Sequence, residues 1–266
     1  MKPAIIGCGN LGSALVKGIL ESDFKIKESV LISTRKQVVP EKLKGFQVEV
    51  LPNKELVEKA DTIILCVLPN QIDKVLEEIK DVVDTSKLIV STVTGVDISR
   101  IKEKLGNENL QVVRAMPNTA IAVKESMTCI SFSENVEANK RQLIIDLFES
   151  VGKTEVIREE QMSSATALTA CGIAFFLRSI RAASQGGVEI SFHSEEALKM
   201  AAQTALGAAK LLLENGTHPE REIDKVTSPN GCTIIGLNEM EHSGFSSSFI
   251  KGIRKSAEKA GKLYCE

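Results

Sequence analysis

Short apolar runs alternate with amphipathic segments through the first 157 residues of the chain. PAIIG, VLIS, TIILCV, KLIVS and QVVRA are rich in Val and Ile and apolar at successive positions, the pattern of strands buried on both faces. LGSALVKGILES, NKELVEKA, NQIDKVLEEIKDVV and DISRIKEKL lie between them, with apolar residues at helical spacing. This alternation predicts a parallel sheet with helices on both faces. MTCISF and VEANKRQLIIDLFESV add a last strand and helix, and GKTEVI closes the sheet near Ile157. From Glu159 onward no strand is expected. SSATALTACGIAFFLRSIRAASQGG, SEEALKMAAQTALGAAKLLLENG and FSSSFIKGIRKSAEKAGKL are helical in period and rich in Ala and Leu, with helix ends expected at Gly186-Gly187 and Gly216.

The small residues of LGAAKLLL and AASQGG permit close helix packing. A helical region of barely a hundred residues is expected to complete its core against a second copy, as a homodimer or a higher oligomer. The longest uncharged stretch, Ser163 to Leu177, is short for a membrane span and carries several hydroxyls, so a buried helix is expected. Charges nearly balance, at a formal net charge of -2, and Trp is absent, which gives no footprint for nucleic acid. Six cysteines without a CxxC pair and three histidines indicate neither a metal site nor a disulfide framework. Free thiols and the lack of a cleavable signal pattern at MKPAIIGCGNLG place the protein in the cytoplasm, away from membranes. His193, His218 and His242 are read as loop or cap residues without a catalytic role.

GCGNLG sets Gly7, Gly9 and Gly12 at GxGxxG spacing, leaving one predicted strand and opening a helix at Asn10 and Leu11. In that context the first glycine permits a tight turn, the second close approach of a pyrophosphate and the third close helix–sheet contact. The expected fold is therefore an α/β Rossmann-like parallel-sheet domain, residues 1–157, followed by an all-α helical dimerisation and substrate domain, residues 158–266. At the end of the second strand an NAD-preferring site carries an acid. Here SVLISTRKQ presents Ser33, Thr34 and Arg35, then Lys36, and the nearest acid, Glu28, precedes the strand. A guanidinium forks onto a 2′-phosphate, so NADP(H) is the expected cofactor, with NAD(H) possible. CVLPNQ and STVTGV fall where the fourth and fifth strands end, which makes Val67, Pro69, Thr92 and Gly95 candidate walls of the nicotinamide pocket.

VTSPNGCTIIG, Val226 to Gly236, puts Thr227, Ser228 and Thr233 around a Pro-Asn-Gly turn directly before an apolar helical run. A helix starting there points its free backbone N–H groups into the turn, a place that suits either a small anion or an ordinary hydroxyl cap.

RAMPNTAIAV, QTALGAAKLLLENGTHP and VTSPNGCTIIGL, together with the glycine turn, resemble the pyrroline-5-carboxylate reductases of proline synthesis over nearly the whole chain. RAMPNT is similar to that family's R-x-M-P-N-T, and VTSPNGCT to its V-T-S-P-G-G-T-T. The resemblance implies NADPH-dependent reduction of L-1-pyrroline-5-carboxylate to L-proline in an interlocked dimer whose helical bundle supplies the substrate pocket. It implies that Ser228 and Thr233, with backbone N–H groups around Gly231 and Cys232, hold the substrate carboxylate. It also implies that Thr233 reaches the ring nitrogen and that Asn118 lies beside the nicotinamide.

The chain departs from the family pattern in places. TACGIA, Thr169 to Ala174, stands where the family has S-G-S-G-P-A; Arg181 and Gln185 replace acids; Leu68 replaces a lysine and Ala120 a proline. A guanidinium at Arg181 could anchor a more acidic substrate. Two alternatives follow: a paralogue reducing another cyclic imino acid or small oxo- or imino-acid, and a catalytically weak NADP(H)-binding regulatory relative. A β-hydroxyacid dehydrogenase is set aside, because no lysine occurs between Lys153 and Lys199.

Overall fold

Eight short strands form one sheet in the spatial order 48–50, 30–33, 3–6, 62–65, 88–91, 111–116, 126–132 and 152–156, and all but the two edge strands are largely buried. The computed structural model describes residues 1–26 and 29–262. The strands are β1 (Pro3–Ile6), β2 (Val30–Ser33), β3 (Val48–Val50), β4 (Thr62–Leu65), β5 (Leu88–Ser91), β6 (Gln111–Met116), β7 (Ser126–Phe132) and β8 (Gly152–Val156). Helices α1 (Asn10–Leu20), α2 (Asn53–Lys59), α3 (Ile72–Ile79), α4 (Ile98–Leu105) and α5 (Ala138–Glu149) connect or cover them.

Alternate residues of the central strands feed two separate cores. Ile5, Ile64, Val90 and Val113 pack with Leu15 and Ile19 of α1 and Leu147 and Phe148 of α5. Ala4, Ile63, Ile89 and Val112 pack on the other face with Leu56 of α2, Leu76 of α3 and Ile101 of α4. Helices on both faces explain why these strands read as unbroken apolar runs.

Two features of the sheet differ from the expected one. Val48–Val50 is a strand that the apolar pattern does not announce: it is a three-residue edge strand beside β2 with Glu49 exposed. And β6 pairs antiparallel with β7, while β8 returns parallel to β7. Only residues 117–125 join β6 to β7, folded partly as a 3₁₀ turn at Thr119–Val123. That is too short for the crossover a parallel pair requires.

Beyond the sheet every regular element is helical among the described residues: α6 (Met162–Ala165), a π-helical turn at Thr166–Cys171, α7 (Gly172–Glu189), α8 (Ser194–Asn215), α9 (Pro219–Val226), α10 (Cys232–His242) and α11 (Phe245–Gly261). The chain parts into two compact units, residues 1–171 with 254–266 and residues 172–253. Gly216 ends α8 in the left-handed conformation, as expected. Gly186 and Gly187 do not end α7. A Cβ on Gly187 would lie 2.9 Å from Ala197 Cβ, so this glycine serves the close packing of α7 on α8. The helix stops instead at Ser191, at φ 83, where Phe192 N bonds Gly187 O and Ser191 N bonds Val188 O in a Schellman arrangement. α9 was not evident as a helix; Pro219 starts it and His218 Nδ1 accepts from Glu220 N as its cap.

The expectation of a buried helix at Ser163 to Leu177 is also corrected. That stretch belongs to a helix running from Glu159 to Glu189, long and apolar enough by length and composition to cross a membrane, and little of it is buried by its own chain. Phe176 and Leu177 stand exposed. Helical periodicity reveals an apolar face but not which molecule covers it.

Within the first unit, Arg114 of β6 is 5% exposed, and its guanidinium faces the Glu159 carboxylate at 3.4 Å. Glu159 Oε1 also accepts from Ile98 N, at the start of α4, at 2.7 Å. Burial pulls the Arg114 guanidinium below its usual value, partly offset by Glu159 and Asp97. Glu159→Ala leaves this buried charge without its partner and is expected to cost about 2–3 kcal/mol in urea unfolding, part of it recovered by adding Arg114→Met. A loss under about 0.5 kcal/mol would show that the pair does not tie these elements together.

Candidate functional site

The strand order reverses between β1 and β4, so the crevice at their carboxyl ends is where an open α/β sheet takes a ligand. Gly7 leaves β1 at φ 96, and a Cβ there would sit 2.7 Å from both Cys66 O and Val67 Cγ1. A Cβ on Gly12 would lie 2.5 Å from Gly7 O. Both glycines are therefore demanded by the turn itself. Gly9 is not: its φ is -78, and nothing lies within 4 Å of a Cβ built on it. Its smallness leaves the backbone bare toward the crevice, the property a pyrophosphate requires. Gly9 caps α1 without a side chain, so the N–H groups at Asn10 and Leu11 have no side-chain acceptor, and no acid occupies the first turn. The residues present thus fit a dinucleotide.

Ser33 O at the tip of β2 accepts from both Gly7 N and Cys8 N at 3.2 Å, binding the glycine turn to the neighbouring strand. Thr34 Oγ1 accepts from Val38 N and donates to Val38 O, and Gln37 takes φ 52. This small closed loop holds Arg35 and Lys36 out in solvent. Glu28, the acid nearest this strand in sequence, lies outside the described residues.

At the crevice floor, burial pushes the Cys66 thiol up to about 12 and raises that of Cys8. Both stay neutral at ordinary pH, so no thiolate opposes an incoming phosphate. Val67 and Pro69 follow β4, and Thr92 and Gly95 follow β5, as expected. Thr92 is buried and its hydroxyl is spent on Leu65 O at 3.0 Å, which leaves it a wall and not a polar contact. Asn118 is likewise buried and engaged: Oδ1 accepts from Ala120 N at 2.9 Å, and Nδ2 donates to Thr169 O at 3.2 Å. Thr169 lies in the π-helical turn that TACGIA helps to form, where Thr166 and Thr169 hydroxyls bond back to Met162 O and Ala165 O.

Two residues at the crevice edge escaped the sequence reading. Lys42 Nζ donates to Asn10 Oδ1 at 3.3 Å, at the first residue of α1. Asn53 opens α2 just after β3; its Nδ2 donates to Glu78, while its buried Oδ1 has no partner among the described residues. Neither follows from a motif, because Lys42 depends on how the β2–β3 connection folds back and Asn53 on where the edge strand β3 ends.

In the second unit, Gly231 N bonds Ser228 O at 2.9 Å across Pro229 and Asn230, and Asn230 takes φ 57. This fits a type II turn, which needs a left-handed residue at its third position, a role Asn can fill. α10 then starts at Cys232, capped by Gly231 with no side-chain bond. A Cβ on Gly231 would lie 2.5 Å from Ser228 Oγ, so that hydroxyl sits over the helix mouth. Among the described residues neither the Ser228 nor the Thr233 hydroxyl bonds a protein group; Ser228 is exposed and Thr233 half-buried. The turn thus offers two hydroxyls and the first N–H groups of α10 to an anion.

Arg181 and Gln185 line a groove of about 440 Å³ in the same unit with Ser184, Val188, Glu189 and Ser194. Glu189 lines the same groove, so a carboxylate shares it with the guanidinium. Among the described residues no group of three or more His, Cys, Asp or Glu side chains is placed to hold a metal.

A family model described as pyrroline-5-carboxylate reductase dimerisation matches residues 159–263, and one described as NADP oxidoreductase, coenzyme F420-dependent, matches residues 2–95. Pyrroline-5-carboxylate reductase 1 of Dictyostelium discoideum is 47% identical over 99% of this chain, which spans 50% of that protein's length. Pyrroline-5-carboxylate reductase 2 of the same organism is 44% identical over 97% of this chain and 92% of its own. The crystal structure of Plasmodium falciparum pyrroline carboxylate reductase with NADP bound is similar at a TM-score of 0.90 and 26% identity, covering 99% of this chain and 98% of that one. With likeness running the length of the chain and its helices matched as a known dimerisation region, the chain belongs to the pyrroline-5-carboxylate reductase family.

Proposed function

We infer that the chain is an NADPH-dependent oxidoreductase that reduces L-1-pyrroline-5-carboxylate to L-proline and works as a homodimer through its helical region. The observation that carries the substrate assignment is the start of α10. It has no side-chain cap, and two hydroxyls with no protein partner among the described residues stand around it. A small carboxylate satisfies such a helix mouth, because free N–H groups and the helix dipole both favour negative charge there.

In this reading Ser228 and Thr233 donate to the substrate carboxylate, and the backbone N–H of Cys232 completes the grip, while the N–H of Gly231 closes the turn on Ser228 O. Thr233 also bonds the ring nitrogen. NADPH, when bound, supplies the hydride that adds to the imine carbon. The ring nitrogen already carries its proton as an iminium, and the C=N π electrons become its lone pair. The chain therefore needs no strong acid; it holds the ring in one orientation and keeps water away. That accounts for a site of hydroxyls and backbone.

On the nucleotide side, Gly7, Gly9 and Gly12 with the N–H groups of Asn10 and Leu11 receive the pyrophosphate. Ser33, Thr34 and Arg35 face the 2′-phosphate. Val67, Pro69, Thr92 and Gly95 wall the nicotinamide end, with Asn118 bracing it through Thr169. We take residues 1–157 as the nucleotide domain and 158–266 as the dimerisation and substrate domain. The five free cysteines among the described residues suit a reducing compartment such as the cytoplasm.

The test is NADPH oxidation with pyrroline-5-carboxylate, with proline measured as the product. Thr233→Val is expected to lower kcat/KM for the imino acid about 30- to 100-fold while NADPH affinity stays within about twofold. Turnover within about threefold of the parent would remove Thr233 from the site. Arg35→Ala is expected to weaken NADPH about tenfold and NADH hardly at all. Equal losses for the two nucleotides would contradict the 2′-phosphate role of Arg35.

A further inference from the structure

We propose that Lys42 is a second ligand of the NADP(H) 2′-phosphate, opposite Arg35, and contributes to the preference over NAD(H). The proposal rests on the NADP(H) assignment above.

Lys42 lies at the far end of the loop that Arg35 begins, in a 3₁₀ turn at Glu41–Leu43. The turn is anchored. Leu43 is fully buried in the core that contains Leu15, Val16 and Ile19 of α1. Leu43 N bonds Pro40 O at 2.8 Å and Phe46 N bonds Leu43 O at 3.2 Å. The loop therefore delivers Lys42 to the amino end of α1, and its Nζ reaches Asn10 Oδ1 at 3.3 Å.

An ammonium has three donors, and among the described residues this bond uses one. The acid beside it in sequence is already committed: Glu41 pairs with Lys44 at 2.6 Å. α1 has no acid in its first turn. Lys42 is thus a cation without a carboxylate partner among the described residues, held next to a helix start that itself favours anions. Ser33 O fixes the glycine turn to the β2 tip that runs on into Arg35, and Lys42 reaches Asn10 at the other end of the same turn. A 2′-phosphate between them meets a planar fork from the β2 tip and a point charge from the α1 side.

Fluorescence titration of the intact protein with NADPH and NADH tests this, using Lys42→Gln, Lys42→Arg and the parent. Lys42→Gln is expected to raise the NADPH Kd about five- to tenfold and to leave NADH within about twofold. Lys42→Arg restores most of the NADPH affinity, and adenosine 2′,5′-bisphosphate loses affinity in parallel with NADPH. An unchanged NADPH Kd, or equal weakening of both nucleotides, overturns the proposal; the latter places the charge on the pyrophosphate. If the parent itself does not distinguish the nucleotides, the cofactor assignment fails too. If the parent prefers NADPH and Lys42→Gln keeps the full preference, only Lys42 is removed.

Discussion

Apolar surface left in water costs about 25 cal/mol per Å², and the helices between residues 172 and 253 leave a great deal of it there. Phe176, Leu177, Leu206, Leu213, Ile235 and Ile250 are all exposed in a single chain, while Ala197 is nearly the whole buried apolar content of that unit. Such a unit does not bury enough to fold by itself. The matched dimerisation region names the remedy: a second copy supplies the other half of the core. Every feature on those helices, including the mouth of α10, is therefore shaped by the dimer as well as by its own chain.

The sheet unit has the opposite economy. Its central strands are sealed on both faces, and its chemistry is confined to their carboxyl ends. There the polar groups fall into two kinds. Thr92, Thr34 and Asn118 spend their side chains on neighbouring backbone and keep loops in place. Among the described residues the first N–H groups of α1 have no side-chain acceptor, and Lys42 uses one of its three donors. The buried thiols at Cys8 and Cys66 stay neutral and add no charge of their own. A site of this kind binds anions by backbone and cationic side chains and positions a ring by shape, which is what hydride transfer to an iminium demands.

Much of this was legible before any coordinates. Unbroken Val- and Ile-rich runs mark strands covered on both faces, and GCGNLG in a strand–turn–helix setting marks the nucleotide turn, because each pattern reflects a local steric need. What escaped depends on distance along the chain. The antiparallel β6–β7 pair follows from connection length and not from apolar pattern. Val48–Val50 is too short and too exposed to show a period. Gly186 and Gly187 look like a helix end until Ala197 is seen packed against Gly187. Lys42 and Asn53 carry no motif, since a folded loop and an edge strand bring them to the crevice. The exposed face of α7 shows the limit most clearly: amphipathicity tells that a face is covered, not by whom.

The turn at Ser228–Gly231 joins both themes, being a local pattern whose meaning depends on assembly. Its hydroxyls and the first N–H groups of α10 are in place in one chain, yet they sit on helices that need a partner. The most direct measurement is a crystal structure of the protein with proline and NADP⁺ bound together. The account predicts a dimer joined through the helical region, with the proline carboxylate within hydrogen-bond distance of Ser228, Thr233 and the N–H of Cys232. Proline bound elsewhere, or with its carboxylate turned away from that helix start, would contradict it.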